Sequence, residues 1–215
     1  MPLSELSQAW FLFDVAEIHR ARLYGAGKRA LETTVAAFVL VVSAPLLPLI
    51  ALAVRLSGPG PVLFRQERVG RDGERFTLTK FRTMGAPPAK EPPGWGNEHS
   101  HRITGVGRVL RRWRLDELPQ LVHVIHGDLS LVGPRPEQPE IVERLAQSME
   151  FYPARHCVRP GLTGWAQVNY GYGGSATGAV EKLQYDFFYI KRQSLKLDLL
   201  IIASTLRAVV TGRGV

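Results

Sequence analysis

The run from Arg111 to Leu121, RRWRLDELPQL, sets two adjacent carboxylates, Asp116 and Glu117, behind three arginines and just ahead of Pro119. Asp is a good helix N-cap, and Pro is tolerated in a first helical turn. The spacing therefore predicts a helix that begins at Asp116 and runs to about His126. Amide dipoles at such a start favour an anion. Together with Arg111, Arg112 and Arg114, they predict a lowered pKa for Asp116 and an ionised carboxylate able to act as a nucleophile. The same arginines suit bidentate binding of a phosphate. An acidic pair beside arginines also serves as plain capping and surface pairing, so this motif alone does not establish catalysis.

Other residues point the same way. Lys80-Phe81-Arg82 ends a predicted strand with two cations around one aromatic ring. Pro134-Arg135-Pro136 holds an arginine in a stiff loop, because both prolines restrict the backbone. Gly133 and Gly161 permit close backbone approach to a ligand. A carboxylate pair with several rigid cations suits phosphoryl transfer, where positioning and charge stabilisation dominate. Hard carboxylate oxygens suit Mg²⁺ bridging a diphosphate. The chain carries no GxxxxGK[ST], HExxH or GxSxG pattern. His99-Ser100-His101 falls in the Pro- and Gly-rich stretch Gly85–His101, which reads as a mobile loop rather than a metal site.

The elements that must position these groups are partly legible. Val35–Val54 carries no charge over about 20 residues, and a straight helix of that length would cover roughly 30 Å. Pro45 and Pro48 interrupt it, and Ser43 is placed to bond carbonyls freed there. Both flanks are basic: Arg20, Arg22, Lys28 and Arg29 before, Arg55, Arg65, Arg68, Arg71 and Arg75 after. A spanning helix should bias positive charge to one side. A re-entrant hairpin that breaks at the prolines satisfies both flanks better than a straight span or a buried soluble helix. Asp72-Gly73 predicts a β-hairpin over Val62–Val69 and Arg75–Arg82. Its charges face either solvent or a phosphate.

Helical patterns follow over Ile103–His126, interrupted near Asp116, and over Glu140–Gln147, Ala179–Lys191 and Leu197–Val210. Gly127–Glu137 reads as a loop, and Arg159–Gly174 as turns and short strands. Leu197–Val210 is too short and polar to span a bilayer. It is either a core helix or an interfacial one, with Lys191, Arg192, Lys196 and Arg207 near lipid phosphates. Leu6–Ala30 reads as an amphipathic helix with no assigned chemistry.

The expected fold is thus α+β and mainly helical. It has an N-terminal amphipathic helix (1–30), a re-entrant membrane hairpin (31–58) and a small cytoplasmic catalytic domain with a β-hairpin and interfacial amphipathic helices (59–215). The chain has 215 residues, a net charge of +8 and a pI near 10.0. That excess suits nucleic acid, anionic lipid or a phosphorylated substrate. A non-enzymatic basic membrane protein that binds nucleic acid or anionic lipid is accordingly the alternative. Cys157 stands alone, which excludes an internal disulfide. The first residues do not read as a secretory signal.

In order, the broken apolar segment, KFRTM, RRWRLDELPQLVHVIHGDLSLVGPRPE, RPGLTGWAQVNY and YDFFYIKRQSLKLDLLI resemble the bacterial sugar transferase family of monotopic polyprenyl-phosphate phosphoglycosyl transferases. The likeness covers roughly residues 28–213, nearly the whole chain. VNYGYGG and EKLQYD look most like the exopolysaccharide-type members. The resemblance implies transfer of a sugar-1-phosphate from a UDP-sugar to undecaprenyl phosphate at the cytoplasmic face of the bacterial inner membrane. It implies an aspartyl phosphosugar intermediate on Asp116, with release of UMP. It gives Glu117 to Mg²⁺ and Arg111 and Arg135 to phosphate, with Pro134 and Pro136 framing Arg135 and a less defined role for Lys80 and Arg82. Membrane lipids become partners and nucleic acid does not. The N-terminal helix could support a homodimer. One departure is visible: after GWAQVN the commoner family pattern continues Gly-Arg, where this chain has Tyr170-Gly171-Tyr172.

Overall fold

A computed structural model of the chain describes residues 22–85, 102–170 and 176–211. The expected N-terminal helix before residue 22, the His99/His101 pair and residues 171–175 lie outside the described residues. Helix α1 (Arg22–Ser43) runs on through Ala30 and meets α2 (Leu46–Leu56) at a 66° bend. The break has the expected chemistry. Pro45 takes the N-cap position of α2, and Ser43 Oγ donates to the Leu40 carbonyl at 3.3 Å. Pro48 falls in the first turn of α2, where a missing N–H leaves nothing unpaired. No single described helix is long and apolar enough to cross a membrane, but this bent pair is so by length and composition. One face of the pair is exposed and apolar: Phe38, Val41, Val42, Leu49, Leu52 and Leu56.

The opposite face packs on a small α+β body. Ala36 of α1 joins Leu78, Leu121, Val124 and Leu129, whereas Ile50 and Val54 of α2 join Phe81 and Leu110. Strands β1 (Leu63–Val69) and β2 (Arg75–Phe81) pair antiparallel, with Val69 opposite Arg75, as the Asp72-Gly73 turn predicts. Helix α3 (Gly105–Arg112) follows, capped by Thr104, whose Oγ1 accepts from the Gly107 amide at 2.9 Å. A 3-10 turn (Leu115–Gln120) then leads into α4 (Leu121–His126).

A second, two-stranded parallel sheet joins a segment expected as loop to one expected as turns and short strands. It is formed by β3 (Ser130–Val132) and β4 (Gly161–Thr163), three residues each. Strands this short carry no readable period. They pack so closely that a Cβ on Gly161 would overlap the Gly133 backbone, and one on Gly164 would do the same. Helices α5 (Pro139–Ser148), α6 (Trp165–Asn169), α7 (Ala176–Lys191) and α8 (Leu195–Val210) complete the body. Helix α6 stands where turns and short strands are expected. Its five residues are too few to show helical periodicity in the sequence.

Polar contacts tie α1 to this body. Lys28 Nζ donates to Val132 O (3.0 Å), Tyr189 Oη (2.6 Å) and Asp198 Oδ2 (2.9 Å). The buried Glu32 carboxylate accepts from Ser130 Oγ and from the Leu131 and Val132 amides. Arg29 donates to the Val124 and Ile125 carbonyls, which are left unpaired at the C-terminal end of α4.

Arg82 departs from expectation. Its buried guanidinium donates to the carbonyls of Val54, Gly58 and Pro59, closing the C-terminal end of α2 and the turn after it. The free carbonyls of a helix terminus compete well for a guanidinium. Arg82 therefore fastens the hairpin to β2 rather than offering a phosphate ligand.

Candidate active site

The acidic pair sits in the 3-10 turn, packed against β2. Arg114 precedes it in the left-handed region, with φ 54°, and takes the N-cap position without a side-chain cap. Asp116 is therefore not the N-cap. It lies within the first turn and its side chain is turned inward, only 4 % exposed. A left-handed arginine costs roughly 1 kcal/mol, a kind of strain that recurs where a functional side chain must be aimed.

Burial reverses the expected direction of the pKa shift. Removal from water is the main influence on Asp116 and pushes its pKa up. The Glu117 carboxylate adds to that, and Lys80 and Arg111 pull it back only in part. The lowered pKa predicted from the flanking arginines is thus corrected. Those cations are present, but desolvation outweighs them. Asp116 Oδ1 is buried and accepts no hydrogen bond. A buried acceptor without a donor is rare and costs about 1–3 kcal/mol.

Cations surround the pair. Lys80, at the end of β2, is partly buried beside Phe64, with Nζ 5.5 Å from the ring centroid. Burial lowers its pKa to about 8, against the opposing pull of Asp116. Arg111 is braced by Thr83 Oγ1 at 3.2 Å and lies 3.6 Å from Met84 Sδ. Glu117 faces Arg114 at 3.4 Å and Arg135 at 3.5 Å. The structure thus brings together Lys80, Arg111, Asp116, Glu117 and Arg135 and leaves out Arg82.

Pro134 and Pro136 are buried and Arg135 between them is partly exposed, so the loop presents one guanidinium. Three donors hold its backbone. The Gly161 amide donates to Pro134 O at 2.9 Å, Arg155 Nη2 to Arg135 O at 3.0 Å, and Arg68 Nη1 to Pro136 O at 3.1 Å. Arg155 is in turn clamped on Asp186 of α7, at 2.7 and 3.0 Å, with both side chains buried. Sequence reasoning missed Arg68, Arg155 and Asp186. Arg155 and Asp186 are 31 positions apart, in segments with no shared pattern.

Behind Arg114 and Arg135 opens a cleft of about 480 Å³, part of it open to solvent, whose walls include Gln167, Tyr170, Lys182 and Asp186.

The family model for bacterial sugar transferases matches residues 23–212. The chain belongs to the bacterial sugar transferase family. Among its relatives is the UDP-N-acetylgalactosamine-undecaprenyl-phosphate N-acetylgalactosaminephosphotransferase of Aeromonas hydrophila, 41% identical over 89% of this chain and 45% of the relative. Another is the UDP-glucose:undecaprenyl-phosphate glucose-1-phosphate transferase of Escherichia coli K12, 42% identical over 83% of this chain and 39% of the relative. A third, the exopolysaccharide production protein ExoY of Sinorhizobium fredii, is 34% identical over 88% of each chain. The chain thus spans less than half the length of the first two. The matched region holds the groups described around the acidic pair, together with the bent helix pair and the body it packs on.

Proposed function

We propose that the protein moves a sugar-1-phosphate from a UDP-sugar to undecaprenyl phosphate, with Asp116 as nucleophile. One observation carries the reading. An unpartnered, buried carboxylate oxygen stands under the charges of Lys80 and Arg111, beside a Glu117 held by two further arginines. Such an oxygen is desolvated and rigid, as attack on a phosphorus requires. Its Oδ1 forms a bond to the sugar-bearing phosphorus while the bond to UMP breaks, and UMP leaves. The lipid phosphate then attacks that phosphorus. The bond to Asp116 breaks, the carboxylate is restored, and a polyprenyl diphosphate sugar is formed. Arg135 and Arg111 hold the phosphate oxygens through both steps, and Lys80 offsets the charge that builds on them.

Glu117, beside that oxygen, is the carboxylate for a divalent cation. Among the described residues no three acidic, His or Cys side chains converge. The chain would then supply Glu117, and Mg²⁺ bound with few protein ligands takes the rest from phosphate and water. When bound, Mg²⁺ would neutralise charge on the diphosphate.

Acceptor chemistry sets the location. A polyprenyl phosphate keeps its headgroup at the bilayer surface. The exposed apolar face of α1 and α2, with basic residues on both flanks, supports a re-entrant hairpin that enters from the cytoplasmic face and returns to it. Exposed Trp113, Phe188, Leu199 and Leu206 fit helices lying in the interface. The relatives' names support the substrates, and an exopolysaccharide pathway is the setting they favour.

A panel of UDP-sugars, each with undecaprenyl phosphate and Mg²⁺, tests the reading through UMP release. One or more should yield UMP. With donor alone, intact-protein mass spectrometry should find the chain heavier by one phosphosugar, mapped to Asp116. Donor consumption with no adduct would sink the nucleophile assignment.

The lysine gives a pH prediction. Lys80 is cationic below about pH 8 and neutral above it. If its charge is needed, kcat/KM, which reports the free enzyme, falls as pH rises through that value. Lys80→Arg does not titrate in this range, so its alkaline limb should flatten. An unchanged limb would remove Lys80 from the phosphate site.

A further inference from the structure

Apart from Arg135, the lining of the cleft behind Arg114 and Arg135 has no part in the two transfer steps. We infer that it receives the nucleoside of the donor, with the Gln167 amide reading the pyrimidine imide and the Tyr170 ring supplying a face for the base. This rests on the UDP-sugar reading above.

Order along the donor molecule decides between its two ends. The sugar is bonded to the phosphorus that Asp116 attacks, so it must lie beside Asp116. The nucleoside is separated from that phosphorus by the second phosphate. The cleft has Arg114 and Arg135 in its wall, and both touch Glu117. Asp116, Lys80 and Arg111 are not among its lining residues. It therefore lies beside the acidic pair but beyond the attacking oxygen, behind the two arginines.

The lining fits a uracil. Gln167 Nε2 donates to the Leu162 carbonyl at 3.1 Å, which fixes the orientation of the amide. That leaves Oε1 buried and without a hydrogen-bond partner. An acceptor in this state calls for a donor, and a small outward shift of the side chain on binding brings Oε1 to the surface of the cleft. Uracil carries an N–H at position 3, between two carbonyls, whereas the corresponding nitrogen of cytosine is itself an acceptor. Lys182 offers N–H donors from the same wall to the carbonyl oxygens, and Ala166 leaves room for a flat ring. Tyr170 presents an aromatic surface of the kind on which bases stack. Gly164 is closely fitted here too: a Cβ would come within 3.3 Å of Gln167 Oε1.

The test is calorimetric binding of UMP and N3-methyl-UMP to the full chain in lipid nanodiscs. Wild type should bind N3-methyl-UMP about tenfold more weakly than UMP, because the methyl group removes the donor and leaves Oε1 unpaired. Gln167→Leu should lose about tenfold for UMP and no longer distinguish the two ligands. Tyr170→Ala should weaken both ligands equally, by a factor of about 5–10, the loss of one stacking contact. The methylated ligand tests the wild-type fold, so a misfolded variant cannot hide the answer. Equal wild-type affinity for both ligands, or no UMP binding, would overturn the proposal. So would a Gln167→Leu variant with unchanged UMP affinity and altered choice among UDP-sugars, which would place the sugar in the cleft. Donor turnover by wild type is read separately. If turnover is present but the two ligands bind alike, only the pocket fails. If no UDP-sugar is turned over, the transferase reading fails.

Discussion

Asp116→Asn should abolish donor turnover, by about 10⁴-fold or more, and leave a folded protein. The amide keeps the size of the side chain but not its nucleophilic oxygen. Loss of the proposed covalent nucleophile would remove the whole two-step route, so the fall belongs in kcat as well as in kcat/KM. The stability effect has the opposite sign. A carboxylate whose folded-state pKa is raised favours the fold only while protonated, and that contribution is lost as pH rises through the folded value. Asn never carries the charge and removes repulsion from Glu117. Its melting temperature at neutral pH should equal or exceed that of wild type. Turnover assays and thermal melts on the same preparation check both halves. Full activity in the variant would move the nucleophile elsewhere. Lost activity with a collapsed melt would show a merely structural carboxylate.

The second large effect is expected far from the acidic pair. Arg155→Met leaves the buried Asp186 carboxylate without its partner and frees the Arg135 carbonyl. Removing one member of a buried ion pair costs about 3–5 kcal/mol. In a protein of this size, each kcal/mol lowers the melting temperature by roughly 2–4 °C. Arg155→Met/Asp186→Leu replaces both charges with apolar groups and should recover much of that loss. Activity should not recover in parallel, because nothing then holds the Pro134-Arg135-Pro136 backbone from that side. The donor KM should stay raised in the double variant, and Lys at position 155 should restore part of it. A single variant that melts within 1 °C of wild type would show that the pair contributes little.

Much of this arrangement was readable before any fold was known, for identifiable reasons. Asp72-Gly73 fixes the register of the β-hairpin because few dipeptides tolerate that turn. Pro45 and Pro48 announce the bend because a proline cannot continue a helix hydrogen-bond ladder. Asp116 and Glu117 stand out as an acidic pair among arginines. The pKa shift of Asp116 was expected in the wrong direction, because flanking charges can be counted in a sequence and burial cannot. Arg82 was misplaced for a related reason: a cation next to Lys80 along the chain turns toward whichever carbonyls the fold leaves open. The Arg155–Asp186 clamp and the Gly133–Gly161 contact join distant segments, and no local pattern marks them.

The attachment of α1 has a practical outcome. Lys28, Arg29 and Glu32 grip β3, α4 and α8 directly, so the hairpin and the reaction centre form one solid piece. The hairpin is not an interchangeable tether. Grafting another anchor in its place would remove the braces of the catalytic body along with the foothold. On the membrane reading proposed above, the lack of slack between the two means that the protein itself sets the height of Asp116 above the lipid tails, and the acceptor must come up to meet it.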